Sequence, residues 1–317
     1  MKEGDGGARA ITAAFLANLG IAIAKFVAFL FTGASSMLAE SIHSVADTGN
    51  QALLFLGGRR GRKLPTPDHP FGYGRERYFW AFLVAVVLFT IGSLFALYEG
   101  YDKLRHPHEL ESPVWAFGVL GLAIVLESFS LRTAVQEANK TRGGLGWWKF
   151  IHRAKSPEIP VVLLEDVGAL LGLVFALLGV TLAVVTGEPR FDAVGSLAIG
   201  LLLGVIAVVV GTEMRSLLVG EAAGRDETAA IGAALASAPG VRQLIHLRTM
   251  HLGPDELLVG AKVELDPALS FPEVADTIDG AEAAVRTRVP SARVIYIEPD
   301  VDRAERHETV PPPTPSA

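Results

Sequence analysis

Six apolar runs govern what this chain can fold into. They lie near residues 11–33, 36–57, 78–101, 113–134, 159–186 and 192–213. Each approaches the roughly 20 helical residues that cross a hydrocarbon core of about 30 Å. In lipid every backbone N–H and C=O must find a partner inside the protein, so runs of this length fold as helices. The expected fold is therefore an all-α membrane bundle of six helices over 11–213, preceded by a short tail, 1–10. Lys2 and Arg9 before the first run imitate a secretory leader. Lys25 interrupts that run, no clean cleavage site follows it, and five more runs come after, so it reads as the first span.

The connections carry charge unevenly. Arg59, Arg60, Arg62, Lys63, Arg75 and Arg77 sit between runs two and three, and Arg132, Lys140, Arg142, Lys149, Arg153 and Lys155 between runs four and five. The intervening connections hold only Lys103, Arg105 and Arg190. The positive-inside rule then places both termini in the cytoplasm of a multi-pass protein of the cell (inner) membrane. Asn139-Lys140-Thr141 matches a glycosylation acceptor but falls on the inner side and is discounted. A formal net charge of −6 argues against nucleic acid as partner, and the absence of cysteine excludes disulfides and thiolate metal sites.

The composition changes after the sixth run. From about 222 to 300 apolar and charged residues alternate as in a small soluble domain. Asp226 is expected to cap a helix over 227–238, which Pro239-Gly240 ends. Val241 to Met250 and Leu257 to Leu265 read as strands around a turn at 251–255. Ser270 precedes a helix from Phe271 to Val289 with Pro272 in its first turn, and Val294 to Ile297 is a third strand. The order αββαβ fits a ferredoxin-like α+β sandwich. The proline-rich tail, 301–317, is expected to be disordered.

Within the second run, Ser36, Glu40, His43, Asp47 and Asn50 recur at steps of four, three, four and three, so they share one helix face. Ionisable groups at that depth are costly and mark functional sites. Carboxylate oxygen and imidazole nitrogen suit divalent cations, and His43 and Asp47, at i and i+4, can reach one ion. A single serine or asparagine would read as an interhelical hydrogen bond; this combination does not. The fifth run carries Glu165-Asp166, adjacent acids about 100° apart on a helix, near the small residues Gly168, Ala169 and Gly172. Asp47, about 16 Å below the outer end of its run, and Asp166 both fall near the midplane, so the two can meet around one ion.

Other groups are weaker candidates. Lys25 can snorkel or neutralise an acid. Glu127 faces the same cavity or the inner headgroups. Asp192 reads as the cap of the sixth helix. Asp68 and His69 belong either to a metal site or to a structured turn that Gly72 and Gly74 permit. His106 and His108 read as solvated, and His246 and His251 as ordinary domain residues. No phosphate-cradling glycine loop and no Ser/His/Asp set in a soluble pocket is evident. The chain therefore reads as a transporter and not as an enzyme.

Six spans, Ser36-Met-Leu-Ala-Glu-Ser-Ile-His43-Ser-Val-Ala-Asp47, then His69-Pro-Phe-Gly-Tyr-Gly74-Arg-Glu, then Asp166 and an αββαβ domain, together resemble the cation diffusion facilitator family of metal transporters over residues 10–300. The resemblance implies an ion site between spans two and five, with two ligands from each, at which divalent metal exchanges for protons. By position, His43 and Asp47 match the span-two ligands and Asp166 the second span-five ligand. Val162 stands where the first would be, so Glu165, Asn50 or a water is left to complete the set. The Leu-Leu-Glu165-Asp166 run is similar to the branch that holds an atypical animal zinc-transporter-like protein. In the loop some members bind metal with an Asp and two histidines; here Tyr73 replaces the second histidine. In the C-terminal domain Ile245, Lys262 and Tyr296 stand where metal-bridging members have ligands, with Glu298 alone acidic, so this domain is expected to serve dimerisation.

The expectation is a homodimer in the lipid bilayer that exports a divalent cation, zinc foremost, in exchange for H⁺. The metal set is His43, Asp47, Asp166, Glu165 and Asn50, with no tightly bound cofactor. The alternatives are a transporter selective for Mn, Fe or Co, a non-transporting membrane metal sensor or scaffold of the same fold, and, last, a membrane-embedded metal hydrolase with Glu165 as its base.

Overall fold

A computed structural model describes residues 19–20, 22–23, 26–27, 30, 35–107 and 113–300, without the side chains of 35–44, 113 and 115. The chain divides into two compact units, Met1–Val219 and Gly220–Ala317. The first is helical throughout: α1 (Ser35–Arg60), α2 (Glu76–Val87), a π-helical turn (Leu88–Leu94), α3 (Phe95–Arg105), α4 (Pro113–Arg142), α5 (Trp147–Arg153), α6 (Glu158–Thr186) and α7 (Arg190–Val219). The second holds α8 (Arg225–Ala236), β1 (Val241–Gly253), β2 (Glu256–Leu265), α9 (Phe271–Arg288) and β3 (Ala292–Asp300).

Among the described residues four helices are long and apolar enough to cross a membrane: Glu76–Arg105, Ala116–Arg142, Glu158–Thr186 and Arg190–Val219. They correspond to the expected third to sixth spans, and α1 to the second. The expected first span, 11–33, lies mostly outside the described residues, as does the tail 301–317. Two spans run past their expected ends because amphipathic turns continue them. In α4, Ala138 is buried beside Phe150 and Leu163, while Glu137 and Lys140 face out. In α7, Met214 and Leu217 are buried beyond the expected end at 213. Gly187, with φ 71°, closes α6 in the left-handed conformation that glycine adopts without strain.

Small residues set the packing of α6 on α7. A Cβ on Gly179 would lie 3.0 Å from the Phe191 carbonyl oxygen, and one on Gly195 would lie 3.0 Å from that of Phe175. Backbones this close leave no room for a side chain, the pattern by which membrane helices gain dispersion contacts. A large apolar cluster joins Leu54 of α1, Val84 and Leu88 of the third span, Val161 of α6, and Leu203 and Ile206 of α7. At its start α6 is tied to α2: the Arg77 guanidinium grips Glu158 through Nε at 2.6 Å and Nη2 at 3.0 Å. Asp192 does not cap α7, contrary to expectation. The helix starts two residues earlier, and Asp192 accepts a hydrogen bond from Lys103 Nζ at 3.0 Å.

The second unit has the expected αββαβ order. Its sheet runs β1-β2-β3, with β1 and β2 antiparallel and β2 and β3 parallel. Strand β2 alternates strictly, burying Leu257, Val259, Ala261, Val263 and Leu265. That single apolar face meets Ile231 and Leu235 of α8 and Ala281 and Val285 of α9. Two details differ from expectation. His251 to Gly253 belong to β1, because His251 pairs with Leu257 and Gly253 with Glu256, which leaves Pro254-Asp255 as the turn. The cap of α8 is Gly224, whose N–H donates to Glu227 Oε2 at 3.2 Å, so Asp226 lies inside the first turn.

Candidate metal centre

The centre is built by facing turns of α1, α6 and α4. On α1, Asp47 is half-buried, Thr48 is buried and Asn50 is 1% exposed, while Val45 points outward. His43 and Glu40 lie on α1, one and two turns before Asp47, and their side chains are outside the described residues. Asn50 Nδ2 donates to Glu165 Oε1 at 2.7 Å. This bond joins the expected second and fifth spans at the level of the acidic stripe.

The two acids of α6 turn to different neighbours. Glu165 faces α1 through Asn50, whereas Asp166, 8% exposed, accepts a hydrogen bond from Ser130 Oγ of α4 at 3.0 Å. The 100° between adjacent helical residues makes this division unavoidable. Asp47 lies within electrostatic reach of both acids, and Glu127 of α4 within reach of Asp166. Val162, one turn before Asp166, is packed against the apolar cluster around Leu203 and Ile206. Its neighbourhood is dry and aliphatic and offers no place for a bridging water.

Among the described residues no group of three or more His, Asp or Glu side chains is arranged to hold a metal ion. The structure does expose unmet acceptor capacity nearby. Asn50 Oδ1 and Gln51 Oε1 are buried without a hydrogen-bond partner. An unsatisfied buried carbonyl oxygen costs about 1–3 kcal/mol, and a cation or a donor would relieve it. Ser130 and Gln51 are absent from the sequence-based set. Gln51 could have been found from its place four residues after Asp47, on the same face. Ser130 needs the α4–α6 packing to be known.

The remaining candidates resolve locally. Asp68 and His69 are exposed in a tight turn, where His69 N–H donates to the Thr66 carbonyl at 3.0 Å and the His69 and Tyr73 rings lie 4.5 Å apart. His106 is exposed on Asp102, and Lys25 and His108 lie outside the described residues. In the second unit His246 is exposed and His251 is buried. The ammonium of Lys262 is held by Glu298 at 3.1 Å and Asp300 at 2.9 Å. Asp300, then Glu298, keep it above the ordinary lysine range.

With this geometry in view, the comparison with known proteins is decisive. Residues 11–219 match the cation efflux transmembrane domain, and residues 223–300 match the cytoplasmic domain of cation efflux proteins. The chain belongs to the cation efflux family. It is 34% identical over 244 residues to the proton-coupled zinc antiporter SLC30A9, mitochondrial, of Xenopus laevis, a match covering 76% of this chain and 44% of that protein. Against metal tolerance protein C4 of Arabidopsis thaliana the identity is 30%, covering 81% of this chain and 57% of that one. Against the cation-efflux pump FieF of Pectobacterium atrosepticum it is 26%, covering 95% and 96%. The chain thus spans less than half the length of the animal relatives and nearly all of the bacterial one. The family is one of transporters, as the absence of any hydrolytic constellation suggested, and the chain is a multi-pass membrane protein.

Proposed function

We propose that this cation efflux protein carries a divalent cation, zinc foremost, across its membrane in exchange for protons, at a site of His43, Asp47, Asn50, Glu165 and Asp166. The Asn50–Glu165 hydrogen bond, with Asp47 in reach of both span-five acids, carries this reading. It joins the two spans that the ligand pattern singles out. Further support comes from the printed name of the animal relatives, proton-coupled zinc antiporter.

The chemistry follows from the donor set. Imidazole and carboxylate bind metal only when deprotonated, so loading a metal releases protons. When the cavity opens to the far side, protons reoccupy the same groups and the metal leaves. One set of side chains serving both ions couples their flows without ATP. Rocking of the ligand-bearing helices against the others supplies alternating access, as in other secondary transporters. The positive connections favour cytoplasmic termini in a cell (inner) membrane, and the C-terminal unit is proposed to dimerise the protein.

The test is transport in liposomes holding a metal-sensitive dye under an imposed pH gradient, with Zn²⁺, Mn²⁺, Co²⁺ and Fe²⁺ in turn. Zinc flux that depends on the gradient and is lost in Asp47→Ala and Asp166→Ala is expected. No flux of any cation would leave the sensor or scaffold reading standing. Full flux in both variants would remove the site.

A further inference from the structure

We infer that span four completes the ion site, with Glu127 supplying the cation ligand that Val162 cannot. The inference rests on the transport site proposed above and adds a third helix to it.

The argument begins with the face α4 turns to α6. Leu120 and Ala123 of α4 pack with Leu173 and Val180 of α6 in one apolar cluster. Ala138, with Leu131 and Ala134 beside it, packs with Leu163 in a second. On α4 the positions 120, 123, 127, 130, 134 and 138 recur at steps of three and four and so form one stripe. Glu127 and Ser130 fall on it between the two clusters. Their burial agrees: both are half-buried, whereas Val125, Leu126, Ser128 and Phe129 are exposed toward the lipid side. On α6, Asp166 falls between Leu163 and Leu173 in the same way. Ser130 Oγ closes this register on Asp166 at 3.0 Å, and Glu127 is within electrostatic reach of the same carboxylate.

An apolar helix interface thus contains two acids aimed at one place. Packing does not explain it, since a buried charge is tolerated only when paired. A bound cation supplies the pairing. A second observation points the same way. Asn50, 1% exposed and bonded to Glu165 beside Asp166, keeps its buried Oδ1 without a partner. It is a neutral oxygen ligand in waiting on the opposite wall. Val162 faces the aliphatic cluster and leaves the position open. Glu127, one turn from Ser130, offers carboxylate oxygen from the other side of Asp166. The resulting oxygen-rich donor set is harder than the His/Asp set alone, which shifts preference from zinc toward Mn²⁺ and Fe²⁺.

The experiment measures equilibrium binding of Zn²⁺ and Mn²⁺ to the full-length protein in nanodiscs, for the native chain, Glu127→Gln and Asp166→Asn, together with metal-induced shifts in melting temperature. Glu127→Gln is expected to weaken Mn²⁺ binding by about tenfold or more, and Zn²⁺ binding less, with the metal-induced shift reduced and the metal-free melting temperature not lowered. Native-like affinity for both metals in Glu127→Gln would overturn the inference, and so would a lower metal-free melting temperature with an intact metal shift, the mark of a structural residue. If the amide prevents folding, Glu127→Asp is read by the same criteria, because it keeps the charge but withdraws it by one methylene. Loss of binding in Asp166→Asn but not in Glu127→Gln would leave the transport site intact without span four. No binding by the native chain would instead remove the site itself.

Discussion

Replacing Asn50 with alanine tests the join between the two ligand-bearing helices most directly. Asn50 Nδ2 donates to Glu165 Oε1 at 2.7 Å, and the side chain is 1% exposed. A hydrogen bond to a charged group contributes about 1.5–3 kcal/mol. If the bond orients Glu165 for the cation, losing it lowers affinity by roughly 10- to 150-fold, at 1.4 kcal/mol per factor of ten. The assay is competition of Zn²⁺ between a chelating dye and the protein in nanodiscs. A double-mutant cycle with Glu165→Ala separates the pair from the general cost of truncation. Groups in contact couple by about 0.5–3 kcal/mol, whereas distant ones add. Affinity within twofold of native in Asn50→Ala, or additivity in the cycle, would refute the claim that this bond organises the site.

Other consequences are open to measurement. Glu158→Gln removes one partner of the Arg77 fork, whose side chains are 17% and 27% exposed; between a surface and a buried pair it should cost about 1–2 kcal/mol, seen as a lower melting temperature. Gly179→Leu places a side chain where a Cβ already lies 3.0 Å from a backbone carbonyl. It should part α6 from α7 at a cost of about 1–3 kcal/mol, and unchanged melting would count against the close approach. Leu257→Ala, at a fully buried position of β2, should cost about 2–5 kcal/mol and speed hydrogen exchange throughout β1–β3. At the start of α9, the Ser270 hydroxyl, then its backbone N–H, hold Glu273 below the ordinary value of 4.5. A depressed carboxyl contributes stability above its unfolded value and loses it as pH falls through the folded one. Acidification below about 4.5 should therefore fray this helix end, and Ser270→Ala should flatten that dependence in amide exchange.

Much of this arrangement was legible in the sequence, for physical reasons. Long apolar runs leave lipid-exposed backbone few choices, and strict alternation from Leu257 to Leu265 fixes which face of β2 is buried. The capping of α9 at Ser270 was readable because serine with Glu273 three residues on is a local signal. What escaped depends on distant contacts. Asp192 looks like a cap until Lys103, far away in sequence, claims it. Asp226 looks like a cap until Glu227 takes the N–H of Gly224. Glu165 and Asp166 look like one acidic pair, yet one belongs to the α1 interface and the other to α4. The period places Glu127 on a face, but only the packing of Leu120 and Ala138 says that α6 lies opposite.

The π-helical turn of the third span has a consequence for how this chain tolerates change in length. A π turn holds one residue more than α geometry needs, so deleting a single residue within Leu88–Leu94 would restore an α-helix and turn everything after it by about 100°. Gly100, where a Cβ would meet the Leu197 backbone nitrogen at 2.9 Å, would swing away from α7 and bring a bulkier neighbour in. Lys103 would leave Asp192, and Ser93 would lose the Gly200 carbonyl it now reaches at 2.8 Å. What this stretch stores is a residue count. Its aliphatic side chains can be exchanged for one another, but a one-codon deletion there would misalign the outer half of the span.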